Sequence, residues 1–277
     1  MVRKNAPRIL VFYDTLKGGL FMYYLCGITE KGIKPRNEDC MLLDKTVRHE
    51  GALHMAVNQP FLAAVCDGVS GENAGELASQ TCLKLLSAVK YTGKTDLCEA
   101  VLSIHEGIAQ LGERHRSTEN MQTTLCGIAV DEFGRLSSFN VGDSRLYRFR
   151  AGTLEQVSRD QTLVQLLYDE GTITSEEKRV HAERNVVLPV MGNLRSEPKP
   201  AVITFPEGLC CGDLLLLCTD GLTDYATEHE IAEILSAPRP LPERLNELVD
   251  RALQKGSRDN ITVLGAVRYP EGVAVPI

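Results

Sequence analysis

The order of its apolar segments constrains the fold of this chain more than any other feature of the sequence. Short strand-like runs at 23–28, 40–43 and 61–66 are followed by two segments with helical periodicity, and more strand-like runs come later. Strands and helices therefore do not alternate, as they would in a parallel sheet with helical crossovers. The pattern favours two antiparallel sheets flanked by helices.

Individual elements follow from local patterns. A helix from about residue 96 carries its apolar residues on one stripe, and Thr227 with Glu230 forms a capping box for a later helix. A polar loop is expected between 43 and 61. We predict an antiparallel meander of three strands at 124–130, 134–141 and 145–149. The most apolar strand is expected at 214–218, a last helix at about 242–255 and a final strand at 261–268.

Composition limits the classes of protein to which the chain can belong. A length of 277 residues allows one large core, and the net charge of −7 argues against nucleic acid or an anionic membrane as the main partner. No apolar run approaches the length of a membrane span. The nine cysteines include no C-x-x-C pair, which is typical of reduced thiols in a cytoplasmic protein. The six histidines lack the spacing of zinc ligands.

The domain boundaries are expected near the two ends of the chain. Residues 1–21 are expected to be an N-terminal extension outside the core, 22–270 to form one domain, and 271–277 to be a C-terminal tail. Within the domain, the charged stretch at 175–185 interrupts the apolar pattern. We therefore predict that about 165–193 form a mobile flap over a site.

Acidic residues recur at the ends of predicted strands, in the pairs Glu38-Asp39, Asp67-Gly68, Asp220-Gly221 and Asp259-Asn260. Each pair alone is an ordinary turn sequence, and Asp143 also lies in an expected turn between strands. Carboxylates that converge from distant parts of a chain are, however, how proteins bind small hard cations. Two such ions held together can activate water against phosphate esters.

Two basic residues, Lys34 and Arg36, stand close to the first acidic pair. Cations beside carboxylates commonly form a solvated ion pair that contributes little stability. A phosphate-binding residue next to a metal site gives the same local pattern. The local sequence leaves both interpretations open.

Seven motifs follow one another along the chain. They are NED (37–39), DGVSG (67–71), TTLCG (123–127), NVGDSRLYRFRAG (140–152), SRDQTLVQLLYDEGTIT (158–174), LLLCTDGLTD (215–224) and SRDNITV (257–263). In these motifs and their order, over about 23–269, the chain resembles the metal-dependent protein phosphatases of the protein phosphatase 2C family, in particular the compact bacterial Ser/Thr phosphatases.

The resemblance implies an α+β fold, a four-layer α-β-β-α sandwich, and two Mn²⁺ or Mg²⁺ ions at one end of it. It implies that Asp67 bridges both ions, that Asp220 and Asp259 hold one of them, and that the Gly68 carbonyl holds the other. Two further roles are implied: Glu38 and Asp39 act largely through metal-bound waters, and Asp143 binds a weaker third ion together with Asp220.

The resemblance also implies an activity, the hydrolysis of phosphoserine and phosphothreonine by a metal-activated water or hydroxide, without a phosphoenzyme. The residues expected to carry catalysis are Glu38, Asp67, Asp220 and Asp259. The implied substrates are phosphoproteins made by a cognate Ser/Thr kinase, and a monomer is expected.

Two positions depart from the family pattern. The family usually has an Arg four residues before the Glu of the first motif, where this chain has Lys34, so phosphate binding falls to Lys34 or to Arg36 in a shortened loop. Many members have a His after the first Asp-Gly pair as a general acid, where this chain has Val69. Protonation of the leaving group would then fall to water or another group.

Two other functions remain alternatives. A catalytically silent module of the same fold would bind phosphoproteins, and Lys34 with Val69 is the sequence evidence for it. The second alternative is an enzyme that acts on small phosphate esters or on a phosphorylated regulator of transcription. The acidic set argues against the silent module, because clustered carboxylates repel one another unless a cation is bound.

Overall fold

The computed structural model describes residues 22–69, 74–205 and 207–269. The extension predicted at 1–21 and the tail predicted at 271–277 lie outside these ranges. The strands of the described chain are β1 (Met22–Glu30), β2 (Asp39–Leu43), β3 (Thr46–Arg48), β4 (Gly51–Asn58), β5 (Phe61–Asp67), β6 (Leu125–Val130), β7 (Leu136–Val141), β8 (Arg145–Arg150), β9 (Thr153–Gln156), β10 (Ala201–Phe205), β11 (Leu214–Cys218) and β12 (Ile261–Tyr269). The helices are α1 (Gly75–Ala88), α2 (Leu97–Gly112), α3 (Leu163–Asp169), α4 (Ser175–Val180), α5 (Asp220–Thr223), α6 (Glu228–Ser236) and α7 (Leu241–Gln254).

Two six-stranded sheets form the centre of the molecule. The first has the order β4-β1-β12-β11-β8-β9 and the second β10-β7-β6-β5-β2-β3. Neighbouring strands in both sheets are antiparallel, for example β1 with β12 and β2 with β5. The predicted pair of antiparallel sheets flanked by helices is confirmed.

Three apolar clusters fill the layers. Side chains such as Leu25, Val65 and Leu217 pack between the two sheets. Leu83 of α1 and Val101 of α2 pack on the outer face of the second sheet, and Leu245 of α7 packs on the outer face of the first. The molecule is therefore a four-layer α-β-β-α sandwich, as the resemblance implies.

Two sequence predictions about strands were wrong. The segment predicted as a polar loop between 43 and 61 contains β3, which has only three residues and is mostly exposed, and β4, a partly buried strand whose alternate residues Leu53, Met55 and Val57 pack against the core. The predicted meander is also wrong, because β6 and β7 pair in the second sheet whereas β8 belongs to the first. The turn at 142–144 crosses between sheets, and strand periodicity does not report which sheet a strand joins.

The helix predictions agree better with the structure. The apolar stripe of α2 is buried, and Thr227 and Glu230 form the predicted capping box of α6. In the described ranges, no helix combines the length and the apolar character that crossing a membrane would require. None of the nine cysteines forms a disulfide.

Strand register brings the acidic motifs to one end of the sandwich. Asp39 at the start of β2 pairs directly with Asp67 at the end of β5. In the other sheet, β11 ends at Cys218 close to the start of its antiparallel neighbour β12, so Asp220 and Asp259 lie at the same end. The ends of both sheets therefore converge on one cluster of carboxylates.

Candidate metal centre

Asp39 and Asp67 supply two carboxylates from the second sheet. Asp39 is almost fully buried, at 1% exposure, and its Oδ2 accepts a hydrogen bond of 2.8 Å from the hydroxyl of Thr219. The other oxygen, Oδ1, is buried and has no hydrogen-bond partner among the described residues. An ionised carboxylate oxygen in this state is costly unless a cation or water reaches it.

Asp220 and Asp259 supply carboxylates from the first sheet. Asp220 starts α5 directly after β11, and its carboxyl group lies within hydrogen-bonding reach of Asp67. Its Oδ1 is also buried without a hydrogen-bond partner in the described ranges. Asp259 lies in the turn before β12, where its Oδ1 is 2.8 Å from the Nζ of Lys34.

Close backbone approach explains the glycines of the two Asp-Gly pairs. A Cβ at Gly68 would lie 2.3 Å from the carbonyl oxygen of Gly75, and one at Gly221 would lie 1.9 Å from the carbonyl oxygen of Asn260. Neither position can carry a side chain without moving the backbone beside it. Glu38 adjoins the first contact, because its Oε1 is 2.9 Å from the Cβ position of Gly75.

Asn260, whose sequence suggested a turn residue as readily as a functional one, ties the first motif to the site. Its Oδ1 accepts a bond from the backbone N–H of Glu38 over 2.8 Å. Its Nδ2 donates to the carbonyl oxygens of Lys31 and Arg36 over 2.8 and 3.0 Å. The buried amide thus fixes the loop that carries Lys34 and Glu38.

Two threonines of the TTLCG motif hold the peptide groups around Asp67. The hydroxyl of Thr123 donates to the Asp67 carbonyl over 2.8 Å, and the backbone N–H of Asp67 donates to Thr124 Oγ1 over 3.0 Å. The same Thr124 hydroxyl is 2.8 Å from Ser144 Oγ, next to Asp143. The sequence pointed to this motif through the resemblance, but it gave no signal for a role of the two hydroxyl groups.

Burial and mutual repulsion raise the pKa of the clustered carboxyl groups. Burial, with the charges of Asp220 and Asp259, raises the pKa of Asp39 to about 7, although hydrogen bonds to the carboxylate oppose the shift. Burial and the charge of Asp259 raise the pKa of Asp220 to about 6. For Asp67, burial and then the charge of Asp39 are the largest causes of a pKa far above the usual range.

Lys34 is a cation that the structure places in this cluster. Partial burial alone would lower its pKa, but the hydrogen bond to Asp259 and the charges of Asp259, Glu38 and Asp67 raise it. Arg36, by contrast, has an exposed side chain. Of the two predicted phosphate-binding residues, Lys34 is therefore the one that lies among the predicted metal ligands.

The donor set fits hard divalent cations. The predicted ligands offer only carboxylate and carbonyl oxygens, and two buried carboxylate oxygens, on Asp39 and Asp220, lack partners in the described chain. No three acidic, His or Cys side chains of the described ranges are spaced as ready ligands of one ion. A site completed by the Gly68 carbonyl and by water agrees with that spacing, since Mg²⁺ keeps several waters.

Asp143 lies beside the cluster, at the edge of a cavity of about 730 Å³. Burial and the charges of Asp220 and Asp160 raise its pKa to about 8. The cavity also contacts Asp220, and residues of the predicted flap, including Lys178 and Arg184, line it. The third-metal role of Asp143 and the mobility of the flap remain predictions.

Comparisons with known proteins agree with this geometry. Over 246 residues the chain is 34% identical to the serine/threonine phosphatase stp of Listeria welshimeri, and the match covers 85% of the chain and 92% of that relative. The chain belongs to the bacterial PPM family. PPM denotes the metal-dependent, protein phosphatase 2C-type Ser/Thr phosphatases that the motifs indicated. No protein-family model matches the chain.

Two matches to a mycobacterial phosphatase show that the chain corresponds to only part of that relative, and one of them is a metal-bound structure. The serine/threonine protein phosphatase PstP of Mycobacterium tuberculosis is 36% identical over 225 residues, which cover 78% of the chain but only 42% of PstP. The catalytic domain of PstP in complex with two manganese ions superposes with a TM-score of 0.73 at 31% identity. That alignment covers 91% of this chain and 100% of the PstP domain.

Asn260→Ala should destabilise the protein by at least about 1–3 kcal/mol, because it leaves a buried N–H and two carbonyl groups without their partner. Urea denaturation measures the effect. Asn246→Ala is a matched control, since Asn246 makes one exposed hydrogen bond to the carbonyl of Pro242 within α7. Equal losses for the two variants would contradict a special role of Asn260.

The metal-free protein should lose stability as the pH rises. The folded-state pKa values of Asp220, Asp39 and Asp143 are raised from 3.8 to about 6, 7 and 8, respectively. The protonated carboxyl groups therefore contribute their full stability to the fold below about pH 4, and this stability is lost as the pH rises towards 8. Bound Mn²⁺ offsets this repulsion. Thermal unfolding with Mn²⁺ or EDTA should show a larger gain in Tm at pH 8 than at pH 5. An equal gain at both pH values would contradict this prediction.

Proposed function

We propose that this protein is a Mn²⁺- or Mg²⁺-dependent phosphatase that hydrolyses phosphoserine and phosphothreonine in proteins. The main support is the convergence of Asp39, Asp67, Asp220 and Asp259 from two sheets at one end of the sandwich. Membership of the bacterial PPM family adds to it. The two manganese ions bound to the PstP domain support the same choice of cofactor.

Divalent ions, when bound, lower the pKa of water and neutralise charge on a phosphate group. The chain's own residues would bind and position them: Asp67 between two ions, Asp220 and Asp259 on one, and the Gly68 carbonyl on the other. Glu38 and Asp39 would act through water, and Asp143 with Asp220 would hold a weaker third ion. The proposal needs no phosphoenzyme, because the proposed nucleophile is water and not a side chain of the protein.

Lys34 is the proposed phosphate-binding residue. Its Nζ lies 2.8 Å from Asp259 Oδ1, and the charges of Glu38 and Asp67 raise its pKa. Its ammonium group is therefore within the carboxylate cluster. It can offer a point charge but not the two parallel hydrogen bonds of an Arg. At position 69, a Val side chain cannot donate a proton, so water is the proposed source of the leaving-group proton.

The proposed partners are proteins phosphorylated by a cognate Ser/Thr kinase. The phosphatase itself is proposed to act as a monomer. The flap at about 165–193 is proposed to select among substrates, because its residues line the cavity beside Asp143 and Asp220. The nine cysteines, none of which is in a disulfide, support a location in the reducing cytoplasm.

Asp67→Ala or Asp220→Ala should abolish the hydrolysis of p-nitrophenyl phosphate and of a phosphothreonine peptide, because each removes a ligand that holds the ions together. The assay is run with Mn²⁺ and with EDTA, and Asp250→Ala, at an exposed position on α7, is the control. Because nitrophenolate leaves without a proton, the aryl ester should react faster than the peptide. Activity that survives EDTA and both substitutions would overturn the proposed function.

Lys34→Ala should raise KM for the phosphothreonine peptide by about 10–150-fold, since one charged hydrogen bond contributes about 1.5–3 kcal/mol. Arg36→Ala should change KM little, because this side chain is exposed. Steady-state kinetics of both variants with saturating Mn²⁺ measure the difference. A larger effect of Arg36→Ala would transfer phosphate binding to Arg36.

A further inference from the structure

Thr219 uses its hydroxyl group differently from other threonines at helix starts in this structure. It is the residue before α5, where a threonine commonly accepts a hydrogen bond from the first turn. Thr162, Thr174 and Thr227 make that bond for α3, α4 and α6. Thr219 makes no such cap. Its hydroxyl is engaged by groups outside the helix.

The two partners of this hydroxyl fix its direction. Thr219 Oγ1 accepts a bond from the backbone N–H of Thr262 over 3.0 Å and lies 2.8 Å from Asp39 Oδ2. A hydroxyl has one proton, and the Thr219 hydroxyl donates it to Asp39 Oδ2 while its oxygen accepts from Thr262. Thr219 is 0% exposed and Asp39 is 1% exposed, so bulk water does not compete for this bond.

The bond also connects the two sheets. Thr219 follows β11 and Thr262 lies in β12, both in the first sheet, whereas Asp39 starts β2 in the second. The contact therefore joins residues 180 positions apart in the chain. It sets where the Asp39 carboxylate lies relative to Asp220, the residue that follows Thr219.

We infer that Thr219 is a positioning residue whose hydroxyl orients the Asp39 carboxylate toward the metal centre. With Oδ2 held by Thr219, the buried oxygen left without a described partner is Oδ1, on the residue that pairs directly with Asp67. Partners that orient ligand groups in this way strengthen metal binding. The inference rests on the proposed metal-dependent function and assigns a residue that does not itself touch substrate or ion.

Calorimetric titration of the metal-free protein with Mn²⁺ tests the inference without an activity assay. Thr219→Val keeps the shape of the side chain but removes the donor, and it should weaken Mn²⁺ affinity by about 10–100-fold. Thr219→Ser keeps the hydroxyl and should bind close to wild type. Thr227→Val, which removes the cap of α6, should lower Tm but leave Mn²⁺ affinity unchanged.

A double-mutant cycle with Asp39→Asn separates orientation of Asp39 from general packing. If Thr219 acts through Asp39, Thr219→Val should weaken Mn²⁺ binding far less in the Asp39→Asn background than in the wild type. Should Thr219→Val not fold, Thr219→Ala takes its place in the cycle.

Three results would overturn the role of Thr219 alone: a folded Val variant with wild-type affinity, a Ser variant as weak as Val, or additive effects in the cycle. Each of them leaves the proposed function intact, because the wild type still binds Mn²⁺. A wild-type protein that binds no Mn²⁺ would overturn both proposals.

Discussion

Repulsion among buried carboxylates is the constraint on which the rest of this structure depends. Asp39 and Asp67 come from one sheet, Asp220 and Asp259 from the other, and burial with mutual charge raises the pKa of three of them. Without cations such a cluster favours proton uptake or separation of its members. The protein can retain it at neutral pH only because rigid elements hold each residue and because positive charge is available.

The rigid elements are the two sheets. The strands that precede or follow the acidic residues, β2, β5, β11 and β12, are buried over most of their length, and their antiparallel register fixes where each strand ends. Short polar contacts then fix the loops: the Asn260 amide holds the first motif, and two threonine hydroxyls hold the peptide groups of Asp67. The glycines at 68 and 221 allow the backbones to meet.

Lys34 contributes a positive charge to the cluster. The two departures from the family pattern are at positions for substrate handling rather than at the expected metal ligands. Lys34 and Val69 stand where family members commonly have groups for phosphate binding and leaving-group protonation. The carboxylates expected to bind metal are all present and gathered. This difference favours an altered handling of substrate over loss of metal-dependent chemistry, and it weakens the alternative of a catalytically silent module.

The sequence by itself determined the class of fold, the buried strands and the acidic motifs, because apolar periodicity and strand-end carboxylates are local patterns. The prediction missed β3, which is too short to show a period, and β4, which is only partly buried and on one face, and it missed the crossing of the chain between sheets at 142–144. Only the tertiary structure decided that Lys34 contacts Asp259, that Asn260 fixes the first loop and that Thr219 holds Asp39. These contacts join residues far apart in the chain, and the packing of one sheet on the other, which no local pattern encodes, determines their geometry.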